Sequence, residues 1–130
     1  MTETTALILS AFTHFLHIGL VSRSVNRTPE GRAWNASPRD TPRPPVGPMA
    51  GRAERALDNH LTALVLFAAA GAAVMLRGES SWVTAVFAWV FVLARLLYIP
   101  AYLQGWTPWR SAIWGVGALS TAILLLAALF

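Results

Sequence analysis

Four long apolar runs dominate the chain, at about 5–22, 50–76, 81–103 and 109–130. They are 18 to 27 residues long, enough for the roughly 20 that a helix needs to cross the hydrocarbon core of a bilayer. The runs are rich in alanine and leucine. A helix pairs every backbone group within its own segment, which lipid demands because it offers no competing hydrogen bonds. A soluble domain of 130 residues with 55% hydrophobic content could not bury that much apolar surface in its own small interior. The expected fold class is therefore all-α: a transmembrane four-helix bundle, one four-span domain over 1–130.

The first run lacks a basic leading segment and a small-residue cleavage signal, and Glu3 precedes it. It reads as an uncleaved span and not as a signal peptide. The segment 23–49 carries five of the ten arginines and is punctuated by Pro29, Pro38, Pro42, Pro44, Pro45 and Pro48. Proline lacks the N–H that helix interiors require, so this stretch is expected to be a loop through which no helix persists. The second helix starts near Met49 or Ala50 with charged first turns and becomes apolar from Leu61. Tight turns are expected at 77–80 and 105–108. The third run holds a single charge, Arg95, and the stretch from Ser111 to the end holds none.

All ten basic residues are arginine, and seven of them lie between 23 and 55. A net charge of +4 raises the question of nucleic acid. Clustering beside predicted spans points instead to a juxtamembrane loop and to no nucleic-acid partner. By the positive-inside rule the first and third loops are cytoplasmic and both termini periplasmic. Arginine without lysine is the bias of a GC-rich bacterial genome, so the expected location is a bacterial inner (plasma) membrane, with membrane lipid as a partner. There is no cysteine, hence no disulfide, thiolate metal site or cysteine nucleophile.

Three polar features stand out. Arg52, Arg55, Asn59 and Thr62 are spaced to share one helical face. Arg95, Tyr98 and Tyr102 share another. Arg110-Ser111 opens the last helix, where backbone donors favour an anion. Arg95 lies about 12 Å inside the boundary, at about 1.5 Å per residue. An arginine in a span faces protein or a wet cavity. Its expected partner is an acid, Asp58 or Glu54, or the carboxylate of a ligand. Guanidinium and phenol donors together suit an acidic, hydrogen-bonding small molecule. His14 and His17, an i, i+3 pair, read as helix packing or a polar contact, and no metal site is assigned. His60 points about 100° away from Asn59. Trp106 and Trp109 read as interface aromatics.

The stretch Arg52-x-x-Arg55-Ala56-x-x-Asn59 resembles the second-helix signature of the MAPEG proteins, the membrane-associated proteins in eicosanoid and glutathione metabolism. Arg95-x-x-Tyr98-x-x-x-Tyr102 followed by Arg110-Ser111 resembles their third-helix and loop signature, and residues 94–102 are similar to bacterial members. Arg39-Asp40 before the second helix is similar as well. The resemblance implies a MAPEG-like bundle that assembles as a homotrimer with sites between neighbouring subunits. It implies glutathione as co-substrate, bound by Arg52, Arg55, Asn59, Arg95, Tyr98 and Tyr102, with Arg110 and Ser111 in catalytic positions beside the thiol. It also implies a lipophilic small molecule as second substrate. The family glutamate three residues after the asparagine is replaced here by Thr62.

Two functions follow from that resemblance: a glutathione-dependent transferase or peroxidase acting on lipophilic electrophiles, or a non-catalytic membrane protein of the same fold binding a lipid or acidic metabolite. A proton-coupled exporter ranks below both. It would need a carboxylate inside a span, and Glu54, Asp58 and Glu79 all sit at the edges of the apolar runs.

Overall fold

Glycine and proline punctuation sets where the helices begin and end. The computed structural model describes residues 2–130 and holds five helices among them: α1 (Thr2–Val25), α2 (Pro29–Asn35), α3 (Pro48–Arg77), α4 (Trp82–Gln104) and α5 (Trp109–Leu129). Pro48 stands in the first turn of α3, where its missing N–H has no intrahelical partner to lose. α3 stops at Gly78, whose φ of 75° is left-handed and cheap only without a Cβ. The Glu79 N–H then donates to the Val74 carbonyl, 3.0 Å away. α4 starts with a capping box between Ser81 and Thr84 and ends at Gly105, φ 74°.

The segment 23–49 departs from its expected form. α1 continues to Val25, and the two-turn helix α2 follows. Thr28 caps it by accepting from the Gly31 N–H at 3.0 Å, and Pro29 occupies the first turn. Proline therefore starts this helix, and none interrupts it before Pro38. Gly31 is buried against the end of α1. A Cβ at this position would lie 2.0 Å from the Val25 carbonyl oxygen, so only glycine permits the approach.

Four helices, α1, α3, α4 and α5, are long and apolar enough to cross a membrane. α3 and α4 touch each other and each touches both α1 and α5, while α1 and α5 do not meet. The cross-section is a rhombus with α3 and α4 on its short diagonal. The core is built on small residues, Ala6, Ala70, Ala88 and Ala128, around the stacked rings of Phe67 and Phe91, whose centroids are 3.9 Å apart. Small side chains let helix backbones approach where the surrounding solvent is itself apolar. The outward faces carry Phe12, Phe15 and Leu93, each more than 60% exposed. Such a girdle suits acyl chains and not water.

Buried hydroxyls are satisfied locally. Ser10 donates to the Ala6 carbonyl at 2.8 Å, Ser120 to Val116 at 2.8 Å, and Thr121 to Gly117 at 3.2 Å. Glu3 lies within the first turn of α1 and not ahead of the helix. It is buried and accepts from the Thr84 hydroxyl at 2.6 Å, which ties α1 to the start of α4.

Candidate functional site

The short diagonal of the bundle brings Arg95 of α4 against Asn59 and His60 of α3. Arg95 is 1% exposed. Its Nη2 donates to Asn59 Oδ1 at 3.1 Å, and its Nε donates across a longer 3.4 Å to His60 Nδ1. The guanidinium carbon lies 4.5 Å from the centroid of the Tyr98 ring. Its stem passes Gly117 of α5, where a Cβ would sit 3.6 Å from Cδ.

Neither acid expected as its partner fills that role. Glu54 pairs with Arg43 from the loop, and Asp58 is exposed. The reason is angular: consecutive helical residues diverge by about 100°, so Asp58 cannot share the direction of Asn59. Arg43 reaches Glu54 at the loop end of α3. Among the described residues no carboxylate lies within ion-pair distance of Arg95, and its charge is held by neutral acceptors and a ring face alone.

His60 is fixed in turn by α1. Its Nε2 lies 3.2 Å from the Ser10 carbonyl and so carries the proton, leaving Nδ1 free to accept from Arg95. The ring stacks on His17 (centroids 4.5 Å apart, planes 12° apart) and faces His14 at 5.8 Å. The i, i+3 pair of α1 is thus a packing surface for a third histidine. His14 Nδ1 and His17 Nε2 are buried without a hydrogen-bond partner among the described residues.

From Arg95 the site continues towards the loop end as alternating cations and rings. Tyr98 and Tyr102 lie one turn apart on α4, with centroids 5.3 Å apart and planes tilted by 59°. Arg110, in the first turn of α5, places its guanidinium carbon 4.8 Å from the Tyr102 centroid. Two guanidinium groups from two helices therefore converge on one tyrosine pair, an arrangement that favours cations over the π-faces. Beside them a polar cavity of about 250 Å³ is lined by Asn59, Tyr98, Tyr102, Arg110, Ser111 and Trp114.

Directly inward lies a second, mainly apolar cavity of about 340 Å³ between α3, α4 and α5. Asn59 and Trp114 line both cavities, so they form the boundary between a polar and an apolar compartment. Thr62, Leu66, Phe91 and Arg95 line the inner one. The Thr62 hydroxyl donates back to the Asp58 carbonyl at 3.1 Å.

Of the residues singled out in the sequence, Asn59, Tyr98, Tyr102, Arg110 and Ser111 share the polar cavity, while Arg95 lines the inner one and touches the polar one only through Asn59 and Tyr98. Arg52 lies nearer the loop and donates to the Leu103 carbonyl at 3.0 Å, at the end of α4. Arg55 is exposed and folds back past Gly51. Neither lines the cavity within a single chain. Trp114 was not singled out, although it stands four residues after Arg110 and so on the same helical face. His60 was set aside as pointing elsewhere, and it does point towards α1. Its acceptor nitrogen on Arg95 depends on α4, which nothing in the local sequence places there.

The fold and this site define a polytopic membrane protein with a polar cavity lined by arginine and tyrosine and backed by an apolar chamber. The sequence model of the MAPEG family matches residues 3–130, and the chain belongs to that family. The comparisons with curated proteins and with solved structures return no match.

Proposed function

We propose that this MAPEG protein is a glutathione-dependent transferase or peroxidase acting on lipophilic electrophiles, working as a homotrimer in a bacterial inner membrane. The observation that carries the reading is the buried Arg95 guanidinium, with no carboxylate partner among the described residues, which lines the inner cavity and is joined through Asn59 and Tyr98 to the polar cavity that Tyr102 and Arg110 line. A buried charge lacking a counterion costs several kcal/mol, on the order of the penalty for one desolvated ion. An anionic ligand offsets that cost. Glutathione brings two carboxylates that guanidinium groups grip in bidentate fashion.

In this reading Asn59, Tyr98 and Tyr102 hold the tripeptide beside Arg95. Arg110 faces its sulfur, and Ser111 donates a hydrogen bond nearby. A cation next to a thiol stabilises the thiolate, the nucleophilic form. The thiolate attacks the electrophilic carbon, a sulfur–carbon bond forms and the leaving group departs with its electron pair. The apolar chamber behind Trp114 receives the second substrate from the bilayer. Arg52 and Arg55, which lie outside this cavity, serve the site across a subunit boundary. The arginine-rich 23–49 loop faces the cytoplasm and both termini face the periplasm.

The test is conjugation by the detergent-purified full chain of glutathione to an aryl halide. The expected result is turnover above the uncatalysed rate that Arg110→Ala abolishes while glutathione still binds. Glutathione binding by the wild type with conjugation only at the uncatalysed rate would leave the second reading, a non-catalytic binder of a lipid or acidic metabolite. Thr62 favours that reading: its side chain turns back on its own helix and offers no carboxylate to the glutathione amine or to Arg95.

A further inference from the structure

A separate cavity of about 330 Å³ lies at the loop end, on the side of the bundle formed by α1 and α3. Its floor is apolar: Ile18, Val21 and Val25 from the last turns of α1, and Leu57 of α3. Its rim is polar and comes from α2, the loop and α3: Trp34, Asn35, Arg39, Arg43 and Glu54.

The rim is a braced structure. The Trp34 indole N–H donates to the Thr41 carbonyl at 2.9 Å, and Asn35 Nδ2 donates to Asn26 Oδ1 at 3.1 Å. Arg39 donates to Asn35 Oδ1 at 2.6 Å and holds its guanidinium carbon 5.3 Å from the Trp34 centroid. Arg43 is neutralised by Glu54. Among the described residues Arg39 has no carboxylate within ion-pair distance, so the rim carries one uncompensated positive charge. Arg39 also has φ 65°, a left-handed conformation that costs a residue with a Cβ about 1–2 kcal/mol. Strain of this kind persists where surrounding contacts impose it, and it is common at ligand clamps.

We propose that this cavity binds the headgroup and glycerol region of an acidic phospholipid from the leaflet on the loop side, with Arg39 as the phosphate ligand. Four features select that occupant. The site sits where the apolar ends of two spanning helices give way to the loop, at headgroup depth. Its charge is positive and single, matching one phosphodiester. Its floor is apolar where a glycerol ester begins its acyl chain. Its volume lies at the low end for a small-molecule site, about 300–1,000 Å³, which suits a headgroup whose chains continue along the outer faces of α1 and α3. The surrounding segment 22–48 adds a general attraction, with five arginines against two acids.

Native mass spectrometry of the full chain, released from micelles doped with equal amounts of phosphatidylglycerol and phosphatidylcholine of matched chains, tests this. The wild type should retain phosphatidylglycerol preferentially. Arg39→Gln should reduce that preference about fivefold, the effect of one basic residue against an acidic lipid. Arg77→Gln, an exposed arginine at the other end of α3, should leave it unchanged. Ile18→Trp, at a position already 44% exposed, should fill the floor and lower retention without touching the rim. Equal retention of both lipids, or full retention by Arg39→Gln and Ile18→Trp, would overturn the proposal. So would soluble glycerol phosphate binding as tightly as the lipid, because the site would then recognise a free phosphate.

Discussion

Asn59→Asp should move stability and ligand affinity in opposite directions. Asn59 Oδ1 accepts from Arg95 Nη2 at 3.1 Å, and aspartate is nearly isosteric with asparagine, so the geometry survives the change. A hydrogen bond between a charged donor and a neutral acceptor becomes an ion pair. The existing bond already has a charged donor, so the change adds only the attraction between the two charges, about 4 kcal/mol at about 4 Å and an effective dielectric of about 20, less several kcal/mol to desolvate the new carboxylate, and a net gain on the order of 1 kcal/mol is expected. The ligand should lose more than the protein gains. Opposite charges about 4 Å apart attract by about 4 kcal/mol at an effective dielectric of about 20, and the new carboxylate competes for that attraction. Glutathione affinity should fall at least about tenfold, which is about 1.4 kcal/mol. Thermal unfolding in detergent reads the first effect, with a rise of a few degrees, and isothermal titration with glutathione reads the second. A lowered midpoint together with unchanged glutathione affinity would refute the claim that Arg95 is held unpaired for an anion.

Further outcomes follow from the same contacts. His60→Leu removes the acceptor for Arg95 Nε and should destabilise the protein by about 1–3 kcal/mol, the cost of one unpaired buried donor, seen as a lower unfolding midpoint. Phe91→Ala deletes a fully buried ring stacked on Phe67 and should cost about 3–5 kcal/mol, while enlarging the inner chamber enough to raise turnover of a bulkier electrophile relative to a small one. Gly31→Ala drives a Cβ into the Val25 carbonyl and should undock α2, which limited proteolysis would report as faster cleavage within 26–47 with the spans intact. Thr62→Glu, restoring the family residue, should tighten glutathione binding in the titration, and unchanged or weaker affinity would show that this position plays no such part.

The sequence alone determined the four apolar helices and the polar positions among them. Both properties are local: length and hydropathy decide whether a segment suits lipid, and a 3.6-residue period decides which residues share a face. Family membership was legible for the same reason, because Arg52, Arg55 and Asn59, and then Arg95, Tyr98 and Tyr102, are spacings within single helices. The tertiary structure decided everything that joins one helix to another. Arg95 took Asn59 and His60 where an acid was expected, since the rotation of α3 against α4 placed those two side chains at its depth and turned Asp58 outward. His14 and His17 acquired a purpose only when α1 packed on α3 and brought His60 against them. The proline-rich segment yielded a helix because Thr28 capped it and Gly31 met the end of α1, contacts that proline counting does not register. The division of the site at Asn59 and Trp114 belongs to the same class, for a cavity is the space between elements and no single element encodes it.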